Sequence, residues 1–365
     1  MKKLKSFWVW LVISLLCLNL TACGGGKDDK FHASVFYYTF SDTYISSVRT
    51  ELDKALKSAG IEFQNYDAAS NQTTQNEQID TAISKGTDLL IVNIVTSGSN
   101  DATQTVLDKA NAANIPVIFF NRAIEDDKSE GKILSKHKDI AYVGTDAPEA
   151  GHLQGEMIGN YVKDHFDKLD LNKDGEISYA MFMGQLGNTE AIYRTRYAVE
   201  DADKILTDAG LKKLKYFDRS NTDKYQVDQD GTWSASAANN YMTTNLTQFN
   251  KENNNMIELV ICNNDGMAEG VISALNDKGY NLGNGKSVTI PVFGVDATDA
   301  AKDLIKAGKM TGTVKQDAKG MAEGIAHLAG NAMMDKNLME NTDKFHISKE
   351  ISNKMYIPYT EYTGK

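Results

Sequence analysis

Val117-Ile118-Phe119-Phe120-Asn121 is an apolar run of strand length that stops on an amide. Its β-branched and aromatic residues show no polar alternation, which suits a strand buried on both faces, as in parallel sheets covered by helices. Seven further runs read the same way: Ala33–Tyr38, Leu89–Val95, Ile140–Val143, Tyr179–Met183, Leu259–Cys262, Ile290–Val295 and Met310–Val314. Helical patterns lie between them. Val48, Leu52, Ala55, Leu56 and Ala59 mark one helix face, and others run over about 72–85, 102–113, 148–168, 190–209, 234–249, 266–278, 298–307 and 318–335. Strands each followed by a helix predict an α/β protein. There are too many strands for one comfortable open sheet, so we expect two similar doubly wound parallel-sheet lobes joined by a multi-strand hinge. A closed eight-stranded barrel is the alternative.

The ends of the strands carry the chemistry. Phe120 runs into Asn121, Cys262 into Asn263-Asn264-Asp265, Val295 into Asp296 and Val314 into Lys315-Gln316-Asp317, while the first strand reaches Asp42 after a short loop. Ligands of parallel α/β sheets bind outside the carboxyl ends of the strands. One polar residue there is ordinarily a helix cap or turn former; five such endings predict a binding rim. Carboxylates and amides match adjacent hydroxyls, and Arg donates a fork to two oxygens. Asp42, Asn121, Glu190, Arg194, Asn264, Asp296 and Gln316 are the polar candidates, and Tyr44 and Trp233 the aromatic ones for an apolar sugar face.

The N-terminus reads as an export signal: Lys2, Lys3 and Lys5, then an apolar run from Phe7 to Leu20, short for a membrane-spanning helix, which needs about 20 residues. Leu20-Thr21-Ala22-Cys23 resembles the lipobox of bacterial lipoproteins, which makes residues 1–22 a signal peptide and Cys23 the acylated residue. Residues 23–31 follow as a flexible leash. Removing residues 1–22 takes the net charge from −10 to −13, since three lysines and no acid leave. So acidic a body disfavours nucleic acid and anionic lipid head groups, leaving the lipid anchor as the membrane contact. Cys262, in an apolar run, reads as a buried, inert thiol.

Longer segments carry a resemblance. Val117–Asn121, Tyr142-Val143-Gly144-Thr145-Asp146, Asp170–Ile177, Asn263-Asn264-Asp265-Gly266-Met267-Ala268 and Pro291-Val292-Phe293-Gly294-Val295-Asp296-Ala297 are together similar to the periplasmic galactose/glucose-binding proteins of sugar ABC transporters, the type 1 periplasmic binding proteins. The resemblance spans essentially residues 33–360. It implies a monomeric receptor that closes over a hexose, galactose or glucose, and presents it to an ABC permease or to a chemoreceptor. It makes Asp42, Asn121, Arg194, Asn264 and Asp296 hydrogen-bonding residues, with Tyr44 in place of Phe and Trp233 on the opposite ring face. Asn188 stands in place of His, Glu190 of Asp and Gln316 of Asn, changes of reach that alter which hexose is preferred. Its domain division is 32–145 plus 317–354 for one lobe and 146–316 plus 355–365 for the other.

Asp170-Leu171-Asn172-Lys173-Asp174-Gly175-Glu176-Ile177-Ser178 has the spacing of an EF-hand-like calcium loop: oxygens at positions 1, 3 and 5, Gly at 6 and the carbonyl of Glu176 at 7. Position 12 is Met181, so the usual bidentate Glu is missing. The resemblance supplies Glu258 as the distant ligand and puts Ser178 where the family has Gln. A structural calcium clip over 170–178 is expected. The six His residues are scattered, and no nucleophile elbow, P-loop or zinc motif is present. A two-carboxylate glycosidase using Asp42 with Asp296 or Glu190 is the enzymatic alternative. The export signal disfavours a DNA-binding repressor.

Overall fold

The computed structural model describes residues 30–126, 129 and 131–364. The expected signal peptide, Cys23 and the leash up to residue 29 lie outside the described residues. His32–Lys365 forms one compact unit built on two sheets.

The first sheet holds β1 (His32–Tyr37), β2 (Glu62–Asp67), β3 (Leu89–Val92), β4 (Val117–Phe120) and β5 (Ile140–Gly144). Two strands from late in the chain, β12 (His346–Ile347) and β13 (Lys354–Tyr356), complete it in the order β12-β13-β5-β4-β3-β1-β2. The second sheet holds β6 (Ser178–Met183), β7 (Lys215–Tyr216), β8 (Gln226–Val227), β9 (Leu259–Cys262), β10 (Val292–Asp296), β11 (Gly312–Gln316) and β14 (Tyr359–Tyr362). Its order is β14-β11-β10-β9-β6-β7, with β8 beside β6. Pairing is parallel except at one edge of each sheet, where β12 joins β13 and β14 joins β11 antiparallel. The expected parallel lobes therefore carry antiparallel edge strands.

The helices are α1 (Thr43–Ser58), α2 (Gln72–Ser84), α3 (Asn100–Ala113), α4 (Ala147–Leu169), α5 (Thr189–Asp208), α6 (Ala235–Asn245), α7 (Asp265–Asp277), α8 (Asp299–Lys306) and α9 (Ala318–Met333). Every residue of β3, β4 and β9 is buried, as a strand covered on both faces requires. Burying Phe119 or Phe120 completely contributes about 1.5–3 kcal/mol each. Among the described residues no helix is long and apolar enough to cross a membrane.

The chain passes between the sheets three times: from β5 to α4, from β11 to α9, which packs on α1 and the first sheet, and from β13 to β14. The three passages are bonded to one another. Ile357 N donates to Gly144 O at 2.7 Å, and Tyr359 stands opposite Gln316 in register.

Helix α5 is set by its contact with α4. Gly151, Gly155 and Gly159, four residues apart on α4, meet it so closely that a Cβ would lie 2.5 Å from Tyr193 O, 2.6 Å from Tyr197 O and 2.9 Å from Ile205 Cβ respectively. Helix propensity alone makes Gly155→Ala stabilising by about 0.5–1 kcal/mol. The clash with a backbone carbonyl outweighs this, because overpacking costs about 1–3 kcal/mol. Gly155→Ala should therefore lower the thermal midpoint by several degrees in a circular dichroism melt; a raised midpoint would show that the two helices separate freely.

Candidate functional site

The strand ends of both sheets face one cavity. It is lined by Asp42, Tyr44, Asn121, Asn188, Glu190, Arg194, Trp233, Asn264, Asp296 and Gln316, so all ten expected binding residues come together. Tyr38, Ile45 and Arg122 also line it and were missed. Arg122 had a signal: it extends the polar ending Asn121 by one residue.

Three of these residues also cap helices. Asp42 caps α1 by accepting from Ile45 N at 2.7 Å, Asn188 caps α5 through Ala191 N at 3.2 Å, and Asn264 caps α7 through Met267 N at 2.9 Å. Three helix N-termini, each with partial positive charge, thus meet the cleft. The cap reading of a polar ending is realised at Asp42 and Asn264, and the same residues line the cavity.

Two buried amides hold the strand ends. Asn93, after β3, donates to Phe120 O at 3.1 Å and Asn121 Oδ1 at 3.2 Å. Asn263, after β9, accepts from Gly184 N at 3.2 Å, and its carbonyl accepts from Arg194 Nη1 at 2.9 Å. Asn121 and Trp233 adopt left-handed backbone angles (φ 62° and 60°). Asp296, at φ 128°, is in a region that side chains rarely occupy, and strain of this kind clusters at ligand sites. The Trp233 ring lies flat on Gly184, where a Cβ would approach it to 2.1 Å.

Arg122 reaches across the cleft: its Nη2 donates to Gln185 Oε1 at 2.6 Å and to Val95 O at 3.1 Å. Its guanidinium stacks 4.1 Å from the centroid of Tyr38, whose hydroxyl donates to Asp42 Oδ2 at 2.7 Å. The cleft is closed. Arg194, Asp296, Asn264 and Gln316 are all buried.

Four atoms in this closed cleft have no partner: Arg122 Nε, Arg194 Nε, Gln316 Nε2 and Asp296 Oδ2. Buried polar atoms are ordinarily hydrogen-bonded, and these four belong to residues that all line one cavity. Burial, with Asp265 and Asp42 nearby, pushes the Asp296 carboxyl well up, although Arg194 opposes this. Burial pulls Arg194 down, but Tyr359, Glu190 and Asp296 outweigh it and hold the guanidinium above its usual range. Burial raises the Cys262 thiol, in keeping with an inert core residue.

The expected calcium loop joins α4 to β6. Asp170 accepts from Asp174 N at 3.1 Å and Gly175 N at 2.9 Å, Asn172 Oδ1 from Asp174 N at 2.9 Å and Asp174 Oδ1 from Glu176 N at 2.9 Å. Glu258 accepts from Leu171 N at 2.7 Å and from Ser178 N and Oγ at 2.9 and 3.1 Å. Lys215 is paired with the Glu176 carboxylate and lies 3.8 Å from Asp174. The donors are hard oxygens of the kind calcium takes, each with lone pairs beyond its amide bond. Among the described residues no group of three or more His, Cys, Asp or Glu is arranged to hold a metal ion.

A pair of α/β lobes with a polar cavity at their strand ends is an architecture that binds small polar solutes. Residues 33–337 match the periplasmic binding protein domain, and the chain belongs to that family. Its members are solute-binding proteins of transport systems that work outside the cytoplasm, so the chain is not an enzyme and the glycosidase alternative falls. It is 33% identical to the D-galactose/methyl-galactoside binding periplasmic protein MglB of Haemophilus influenzae, over 94% of this chain and 92% of that one. It is 27% identical to the D-xylose-binding periplasmic protein of Escherichia coli, over 90% and 84%. Among solved structures, an ABC transporter solute binding protein from Bacillus halodurans with bound myo-inositol aligns at TM-score 0.67 and 25% identity, covering 93% of this chain and 96% of that one.

Proposed function

We propose that this protein captures a monosaccharide in the closed cleft and hands it to an ABC permease, with a hexose such as galactose or glucose as the ligand. The observation that carries the reading is the set of unpartnered atoms: three N–H donors on Arg122, Arg194 and Gln316 and one carboxylate acceptor on Asp296. A sugar hydroxyl both donates and accepts, so one polyol satisfies both kinds at once. Asp42, Asn121 and Asn264 add hydrogen-bonding groups, and Tyr44 and Trp233 add aromatic surface for the ring. The relatives that bind galactosides, xylose and myo-inositol support a polyhydroxylated ring. Binding across the cleft stabilises the closed form, and that form is what a permease or a chemoreceptor reads. Acylation of Cys23 would hold this monomer beside the membrane.

Trp8 and Trp10 lie in the signal segment, so Trp233 is the one tryptophan from His32 onward. Titrating His32–Lys365 with galactose, glucose, xylose, ribose and myo-inositol should change Trp233 emission saturably for at least one of them. Flat emission with all five contradicts the sugar reading.

We also propose that Asp170, Asn172, Asp174, Glu258 and the carbonyl of Glu176 hold a structural calcium ion, with Ser178 assisting. Calcium at a hundredfold excess over its Kd should add about 2.7 kcal/mol of stability, since it binds only the folded loop. Thermal melts in calcium and in chelator that superimpose would remove the site.

A further inference from the structure

Glu190 lines the ligand cavity, yet its carboxylate is occupied by the protein. Oε1 accepts from Thr145 Oγ1 at 2.8 Å, and Oε2 accepts from Tyr359 OH at 3.0 Å and Arg194 Nη2 at 3.1 Å. Arg194 Nη2 also donates to Tyr359 OH at 2.9 Å and Gln316 Oε1 at 3.2 Å. Thr145, Gln316 and Tyr359 come one from each of the three passages between the lobes, and Thr145 and Tyr359 hydroxyls are themselves 3.1 Å apart. The side chains of Arg194 and Glu190 are only 4% and 12% exposed, so these charge-assisted bonds are shielded from water.

We propose that Glu190 is a positioning residue that couples the ligand to the hinge. It fixes Arg194, whose Nε is left without a protein partner, and ties it to Thr145 and Tyr359 of two crossing segments, while Arg194 reaches the third directly through Gln316. It does not read a sugar hydroxyl. This rests on the sugar-binding reading for its ligand, but the hinge network stands without one. Thr145, Gln316 and Tyr359 are thereby held against the Glu190–Arg194 pair, so hinge geometry and ligand contact at Arg194 form one cooperative unit.

The test uses the full protein with galactose, glucose, xylose, ribose and myo-inositol in calorimetry, comparing Glu190→Gln, Thr145→Val and the double variant. Glu190→Gln and Thr145→Val should each weaken every ligand that the wild type binds by a similar factor, about tenfold, the weight of one charge-assisted hydrogen bond. The double variant should be little worse than Glu190→Gln alone, because both break one unit. A loss confined to one sugar, or losses that add in the double variant, overturns the proposal. Should the wild type bind none of the five, the sugar reading has failed. The hinge role is then judged by the spin-label distance between the lobes of the ligand-free protein. Glu190→Gln must lengthen it, and an unchanged distance overturns the role.

Discussion

Arg194→Ala should abolish measurable ligand binding, a loss of a hundredfold or more. The guanidinium is buried and donates to Asn263 O, Glu190, Gln316 and Tyr359, and only Nε has no protein partner. Truncation removes a charged donor to the ligand, worth about 1.5–3 kcal/mol, and also releases Gln316 and Glu190 from their held positions. Truncations of such anchors reach about 2–4 kcal/mol or more. Arg194→Lys should lose nearly as much, because a single ammonium cannot bond Asn263 O, Tyr359 and the ligand in the planar fork that arginine provides. Calorimetry checks both variants, and wild-type affinity in Arg194→Ala would show that the ligand binds elsewhere.

The second large effect concerns stability and pH. Asp265, at the start of α7, is fully buried and accepts from Thr313 Oγ1 at 2.6 Å and Thr298 N at 2.8 Å. Burial, with Glu269 nearby, pushes its carboxyl up to about 7 despite these bonds. Asp296 is pushed the same way, by burial first and then by Asp265. The unfolded carboxyl titrates near about 3.9. As pH rises, the unfolded chain gives up this proton before the folded one does, so unfolding releases a proton between about pH 4 and 7. The contribution is therefore full below about pH 4 and lost by about pH 7, on the order of 4 kcal/mol at about 1.4 kcal/mol per unit. Asp265→Asn removes the ionisation, while its amide can accept from Thr298 N and donate to Thr313. The variant should melt higher than wild type at pH 8, with the gain vanishing as pH falls towards 4. A gain that does not change with pH contradicts the buried ionisation.

The eight apolar runs all become strands because burial on both faces leaves them no polar alternation. β2 (Glu-Phe-Gln-Asn-Tyr-Asp) has none of that signal, since it is an edge strand with every side chain partly exposed or fully so. β7, β8 and β12 are two residues long, too short for any period to show. β13 and β14 join opposite sheets from one short C-terminal segment, a pairing set by tertiary contacts and not by local pattern. In the site, polar strand endings and the resemblance together located Asp42, Asn121, Asn264, Asp296 and Gln316. Tyr38 sits inside an apolar run, and its hydroxyl becomes informative only beside Asp42. The link from Tyr359 and Thr145 to Glu190 spans 169 and 45 residues, beyond the reach of any spacing rule.

The central claim is that the closed cleft completes its hydrogen bonding with a monosaccharide. Calorimetry of the purified protein against galactose, glucose, xylose, ribose and myo-inositol tests it most directly. Saturable one-to-one binding of at least one of them is expected, lost in Asp42→Ala and Arg194→Ala. Absence of heat with all five, in a protein whose melt shows it to be folded, would contradict it.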